Sequence, residues 1–585
     1  MKFALRYCKP YALVIIFTIF VKTAATFAEL FIPYVLEYMI DTAAPAKNWT
    51  GVFLGGAGML VLTLLLVGLN IGANMMACNT ARQAAYKVRK DLFWKSLKLS
   101  GKTFDEFGLP SITSRMTSDS YNVQDFIRAF QSFGVRAPLM LIGGIIVAFM
   151  MDKGLGLILG VIGPVTVIIL IVMAFKGIPL YDKVQRSIDE ISLVMRENIT
   201  GIRVVKALSK EKHEIGRFAQ ANVTMNKRDR RASTIMSLPS PIMTLFLNIG
   251  LVLCVYVGAV RVNAGITQPG VILAFLTYFN MILNGALGLS RVLLMLSKAS
   301  ASAYRIQAVV DMPEELTAIS ADQAAHTESD AFIVFDDVSF RYGDDSKMGN
   351  TDGFVGEERL KALNHISFEI PKGGSLGIIG PTGCGKTTII NMLMRFYDAQ
   401  EGHIFVDGRD VRTYDLTELR RKFGTVFQND TVFADTIEEN IKFGRNVSDE
   451  KMKNAARDAF ASEFIEEYED AYQHMSSAHG ANFSGGQKQR ILISRALAGD
   501  SEILVLDDSS SALDYKTDAG LRQSIRENYD CTSIVIAQRV SSIMSLDQII
   551  VMDEGSILGI GTHEELMKNC REYVDIYKIQ MGEEV

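Results

Sequence analysis

The chain reads as a multi-domain protein: a six-helix α transmembrane domain with long cytoplasmic helical extensions, followed by an α/β domain built on a phosphate-binding loop. Three observations predict this. Six apolar stretches, each with the roughly 20 residues needed to cross a bilayer, fill the first half. The connections between them alternate between short charge-poor turns and long basic segments with an apolar stripe at helical spacing. The second half carries a glycine-rich turn, GPTGCGKT, between a strand pattern and a helix pattern.

Composition agrees with a membrane part joined to a soluble part, since 49% of the 585 residues are hydrophobic while 21% are charged. A net charge of -5 implies no general attraction to polyanions, so nucleic acid is not expected as a partner. The six cysteines, Cys8, Cys78, Cys254, Cys384, Cys531 and Cys570, are scattered without C-x-x-C pairing, which suggests reduced thiols rather than a disulfide framework or zinc site.

The expected spans lie near 11–40, 52–78, 132–151, 155–176, 237–260 and 269–296, within a transmembrane domain over 1–300. Basic Lys2, Arg6 and Lys9 precede the first span, which continues without a cleavage signal and is read as a retained helix. Lys22, Glu29 and Glu37 within it are costly against lipid and are expected either to face inward or an interface, or to snorkel or pair. Asn70, Asn248, Asn280 and Asn284 are further polar groups in the spans; they suit either a transport path or packing between helices. The connections 79–130 and 176–231 hold the Lys and Arg excess, which places them and both termini in the cytoplasm. Segments such as ARQAAYKVRKDLFWKSLKLS, 81–100, continue the helices beyond the membrane; about 25 residues at 1.5 Å each project some 35 Å.

The polar stretch after Met312 marks a linker, 301–330, and the soluble domain spans 331–585. FIVFDDVSFRY, 332–342, has the alternation of an edge strand. The acidic segment 343–361 is expected to be disordered or a lid-like hairpin, with no function assigned.

Gly380, Pro381, Thr382, Gly383, Cys384, Gly385, Lys386 and Thr387 follow SLGIIG and precede a helix that begins near Thr388. In that context backbone N–H groups and the helix N-terminus hold phosphates, Lys386 adds a point charge and Thr387 reaches Mg²⁺. ILVLDDSSSALD, 503–514, reads as a buried parallel strand delivering Asp507 to a magnesium nucleotide.

In this order the motifs make the chain resemble a half-transporter of the ATP-binding cassette (ABC) superfamily, of the exporter type with domain-swapped helices. The resemblance implies ATP and Mg²⁺ as ligands and adds roles residue by residue. Tyr342 stands where an aromatic ring stacks on adenine, and Thr388 continues the ATP-binding set. Gln428 in FGTVFQND stands where a glutamine touches Mg²⁺ and the lytic water. Phe483 opens a signature whose Ser484, Gly485, Gly486 and Gln487 face ATP on the opposite subunit, and Ser511 to Asp514 form the dimer-facing loop. The segments FDEFGLPSITSRM and GIRVVKALSKEKHE match the transverse helices that dock on cassettes, the second on the partner's.

Departures from the family pattern sharpen the expectation. Asp508 replaces the catalytic glutamate, Gln538 replaces the switch histidine, and Ser477 with Ala478 replace an acidic pattern before the signature. Glutamine cannot take a proton as imidazole does. The expected protein is the degenerate-site subunit of a heterodimeric, multidrug-type exporter in a bacterial plasma membrane. Its partner is a related half-transporter with intact Glu and His, and it works among membrane lipid on an amphiphilic drug, lipid or peptide. A regulatory subunit gating a partner, or a homodimeric exporter with slow ATPase, are the alternatives.

Overall fold

The structure, a computed structural model, describes residues 2–313, 316–320, 322, 324–343 and 361–582; the acidic segment 344–360 lies outside them. The chain divides into two compact units: Met1–Leu97 with Leu109–Met312, and Lys98–Gly108 with Pro313–Val585.

The first unit is helical. The six expected stretches fall on the helices Ala12–Tyr38, Trp49–Leu97, Val135–Met151, Lys153–Thr200, Pro239–Asn263 and Pro269–Val310. Among the described residues, five helical runs are long and apolar enough to cross a membrane, and Lys153–Ile169 is a shorter apolar one. Leu155, Leu159, Met243, Leu247, Phe275 and Phe279 share one buried cluster. The Trp49–Leu97 helix has 49 residues and therefore runs well beyond a bilayer's thickness.

Two carboxylates fasten helix ends within the first unit. Asp41, in a π-helical turn Met39–Ala43, accepts from Gly270 N at 2.6 Å and Val271 N at 3.0 Å. It thereby caps a helix whose own N-cap residue, Gln268, offers no side-chain bond. Gly270 permits this approach, because a Cβ there would lie 2.7 Å from the carboxylate. Asp152 caps the Lys153–Thr200 helix through Gly154 N and Leu155 N, and also accepts from Arg261 Nη2 at 3.1 Å.

The expected linker begins too early. The last helix runs to Val310 because Ala299, Ala303, Ile306 and Val309 form a buried stripe at helical spacing, each no more than 1% exposed. Ser302 and Arg305 on another face hydrogen-bond Asp119. Beyond it, already within the second unit, Thr317 O accepts from Arg395 and Ile319 N donates to the Arg412 carbonyl.

Among the described residues the second unit holds two sheets. β1 (Ile333–Phe340), β2 (Leu363–Ile370), β4 (Glu401–Val406) and β5 (Arg409–Asp410) form an antiparallel sheet in the order β2-β1-β4-β5. β1 is thus an interior strand, not an edge: its second neighbour, β4, comes some sixty residues later and leaves no mark on local alternation. The larger sheet has the order β10-β9-β3-β8-β7-β6. It comprises β3 (Ser375–Ile379), β6 (Phe423–Val426), β7 (Ile503–Asp507), β8 (Thr532–Ile536), β9 (Gln548–Asp553) and β10 (Ser556–Gly561). All its pairs are parallel except β9 with β10. Every residue of β7 is buried, as expected for a central strand covered on both faces.

The segment Lys98–Gly108 belongs to this unit. Its helix Gly101–Phe107 is capped by Ser100, and Gly101 N donates to Phe396 O at 3.1 Å. Tyr397 Oη donates to Asp105 Oδ2 at 2.5 Å. A Cβ on Gly101 would lie 2.7 Å from the Tyr397 ring. The segment FDEFGLPSITSRM therefore overlaps the docked helix only at its start. GIRVVKALSKEKHE contains the short helix Ile202–Ala207, none of it buried.

Candidate nucleotide site

β3, β8, β7 and β6 are consecutive neighbours, so their C-terminal ends deliver four segments to one edge of the sheet. β3 leads into Gly380–Lys386, β7 ends at Asp507, β8 leads to Gln538 and β6 leads to Gln428. A cavity of about 320 Å³ opens there, lined by Tyr342, Thr382, Gly383, Gly385, Lys386, Thr387, Thr388, Gln428, Asp507, Asp508 and Gln538 among others. The sequence had named each of these.

The loop is shaped by two glycines in the left-handed region, Gly383 at φ +90° and Gly385 at φ +101°. A Cβ at Gly383 would project into open space, whereas one at Gly385 would strike the Ala362 carbonyl at 2.4 Å. Gly385 also starts the Lys386–Leu393 helix without a side-chain cap, leaving its first N–H groups for an anion. Cys384 is buried beneath the loop. Lys386 Nζ donates to Gly380 O at 2.8 Å and Pro381 O at 2.7 Å, lying along the loop that it would leave for a phosphate.

Thr387 Oγ1 donates to Asp507 Oδ2 at 2.8 Å. Hydroxyl, carboxylate and amide oxygens are the donors a hard cation accepts. Among the described residues no group of three or more His, Cys, Asp or Glu forms a ready-made metal cage. Mg²⁺ here would be completed by nucleotide oxygens and water, which is its usual mode. Burial raises the Asp507 carboxyl above its ordinary range; Thr387 and Lys386 pull it back, and the neighbouring Asp508 charge pushes it further up.

Asp508 has φ +51°, an uncommon conformation for a residue with a side chain. Its Oδ2 accepts from Gln538 Nε2 at 2.8 Å. Burial raises its carboxyl too, against the lowering effect of Gln538, Gln428, Lys386 and Arg539.

Tyr342 Oη donates to Thr388 Oγ1 at 3.2 Å and accepts from Asn391 Nδ2 at 3.3 Å. Its ring meets Phe340 and Tyr397 edge-on, with centroids 4.9 and 5.2 Å away. The contact from Tyr342 through Tyr397 to Asp105 was missed in the sequence; Ser100-Gly101, a cap residue followed by a glycine, was its faint local trace.

The signature residues do not line this cavity. Ser484 caps the helix Gly485–Leu497 in a reciprocal capping box with Gln487, each side chain accepting from the other residue's backbone N–H. The turn is backed by the Ser511–Asp514 loop, with Ala512 O 3.1 Å from where a Gly486 Cβ would stand. Phe483 anchors it in the core, 6% exposed.

A phosphate loop, an apolar strand ending in a carboxylate, and a separate outward-facing signature turn together define an ATP-binding cassette, here fused to a helical membrane region. Residues 15–287 match the family described as ABC transporter transmembrane region, and residues 363–511 match the one described as ABC transporter. The chain belongs to the ABC transporter family, and ATP binding and hydrolysis come with that membership. It is 33% identical to the uncharacterized ABC transporter ATP-binding protein YfiB of Bacillus subtilis, over 100% of this chain and 99% of that one. It is 34% identical to the ATP-dependent lipid A-core flippase of Desulfotalea psychrophila, over 74% of this chain and 73% of that one. The structure of a bacterial Atm1-family ABC exporter with ATP bound superposes with a TM-score of 0.79 at 22% identity, covering 99% of both chains. The fold is therefore that of an exporter-type half-transporter.

Proposed function

We propose that this chain is the degenerate-site subunit of a heterodimeric exporter that moves an amphiphile outward across a bacterial plasma membrane. The observation that carries this is the Gln538–Asp508 hydrogen bond of 2.8 Å. The two residues that differ from the family's catalytic pair occupy each other. Asp508 is one methylene shorter than glutamate, and misplacement of about 1 Å costs on the order of a hundredfold in rate. Gln538 donates a hydrogen bond but takes no proton.

In this reading Tyr342 stacks on adenine. Gly380, Pro381, Thr382, Gly383, Cys384, Gly385, Lys386, Thr387 and Thr388 hold the phosphates, and Thr387, Gln428 and Asp507 hold Mg²⁺. Ser484, Gly485, Gly486 and Gln487 complete the hydrolytic site of a related partner with intact Glu and His. The excess of Lys and Arg in the long loops supports a cytoplasmic position for both termini and the cassette. The 34% identity to a protein named as a lipid A-core flippase favours a lipid-like cargo.

The test compares ATP turnover by the purified chain alone with turnover by the chain mixed with its sister subunit. The mixed pair is expected to be faster by ten-fold or more. Equal rates per cassette would refute the asymmetric pair and favour a homodimer.

A further inference from the structure

The membrane unit buries a cation that meets no carboxylate of its own among the described residues. Lys22 lies roughly 15 Å along the Ala12–Tyr38 helix at 1.5 Å per residue. It is only 4% exposed. Its Nζ donates to Asn70 Oδ1 at 2.6 Å and to Asn74 Oδ1 at 3.2 Å, two amides one turn apart on the Trp49–Leu97 helix. Ser132, in the π-helical turn Phe130–Gly134, donates to the same Asn74 oxygen at 3.0 Å.

The charged groups within electrostatic reach of Lys22 are Glu29 and Arg136. They are committed to each other, Arg136 Nη2 to Glu29 Oε1 at 2.6 Å. Glu29 Oε2 is buried without a hydrogen-bond partner. Two cations and one carboxylate leave the cluster with one uncompensated positive charge. Neutral amide oxygens return only part of what an ammonium loses on leaving water.

The cluster is not sealed. Asn74 is exposed and Asn70 half-buried, so the amide edge opens at the helix surface with Lys22 directly behind it. Asn70 Nδ2 is spent on Leu66 O, but Asn74 Nδ2 meets no acceptor among the described residues. An anion arriving there meets an N–H donor and then an ammonium. Ile71 and Met75, beside Asn74, are 56% and 68% exposed and offer an apolar surface to a tail.

We propose that Lys22 and Asn74 form a headgroup site for an amphiphile with a negatively charged head, a phosphate, carboxylate or sulfate. The proposal rests on the exporter reading above and narrows its substrate class. A cationic amphiphile would meet the uncompensated charge, and a zwitterionic one would gain little from it.

Native mass spectrometry of the full chain, released from phosphatidylcholine nanodiscs without ATP, tests it with dodecyl phosphate, dodecylphosphocholine and dodecyltrimethylammonium as probes. The wild type is expected to retain dodecyl phosphate at least ten-fold over the other two. Lys22→Met, which keeps length and suits an apolar helix, abolishes the preference, while Lys22→Arg keeps it. Asn74→Ala weakens retention several-fold, and Asn74→Asp, which keeps the acceptor oxygen for Lys22 and Ser132 but removes the N–H donor and adds a negative charge, weakens it at least as much. In phosphatidylglycerol nanodiscs, suppression of the dodecyl phosphate adduct together with a Lys22-dependent lipid adduct identifies bulk lipid as the anion's source; persistence of the adduct identifies a free amphiphile. Equal retention by wild type and Lys22→Met, or no preference among the three heads, overturns the site. Because no ATP is present, that failure is separate from any result on paired ATP turnover.

Discussion

Asp508 and Gln538 are joined at 2.8 Å across the ends of two neighbouring parallel strands, β7 and β8. Asp508 N also donates to Ile536 O at 2.9 Å, so backbone and side chain both tie the two strand ends together. The carboxylate that would orient water is instead the acceptor of a neutral amide.

The two halves of the cassette should therefore separate by mutation in the assembled pair. On the proposed pairing, Gly485→Asp places a negative charge where a partner's nucleotide would be held, and ATP turnover should fall by about a hundredfold, as for loss of a preorganised anion donor. Asp508→Ala should change it by less than about twofold. Steady-state ATPase of the purified pair checks both, and a larger loss from Asp508→Ala would reverse the assignment.

Restoring the family residues should restore chemistry. Asp508→Glu with Gln538→His is expected to raise ATP turnover of this chain alone by about a hundredfold, with each single change giving much less, because a base and its orienting partner act together. Single-turnover hydrolysis measures the chemical step directly.

Two carboxyls, buried Asp507 and half-buried Asp508, make the nucleotide-free cassette sensitive to pH. Asp507 and Asp508 are both raised in the folded state, chiefly by burial. A raised carboxyl stabilises the fold fully below the ordinary carboxylate value of about 4 and loses that contribution as pH rises through the folded value. Asp508→Asn should thus raise Tm at pH 7.5, with the gain shrinking toward pH 4.5. Thermal scans of nucleotide-free protein across that range decide it; a gain constant with pH would contradict the account.

Much of the site was legible because it is local. The phosphate loop needs its glycines, lysine and threonine within eight consecutive positions, and the Asp507 strand announces itself as an unbroken apolar run. What escaped depends on distant partners. β1 looked like an edge because β4 is remote in sequence. The helix to Val310 was cut short because its buried stripe uses small alanines at 299 and 303, which carry little hydrophobic signal. The ring of Tyr342 is plain in the sequence, whereas the bonds of its hydroxyl to Thr388 and Asn391 come from another element.

Asp41 is a distant partner of the same kind. Asp41→Ala removes the only side-chain cap described for the Pro269–Val310 helix and should cost about 1 kcal/mol, lowering Tm. Asp41→Asn, which still accepts hydrogen bonds, should fall between. Equal stability of all three proteins would remove the cap from the account.

The cassette unit is assembled from two pieces of chain, Lys98–Gly108 and Pro313–Val585, closed by Gly101 against Tyr397 and by Tyr397 on Asp105. Recombination that exchanged cassettes between relatives by a single crossover near Pro313 would leave the first piece behind, facing a foreign surface. A transferable module here needs two crossovers, or matched residues at 101, 105 and 397 in both parents. Lineages that trade cassettes freely should keep those three positions in step even where the rest of the cassette has diverged.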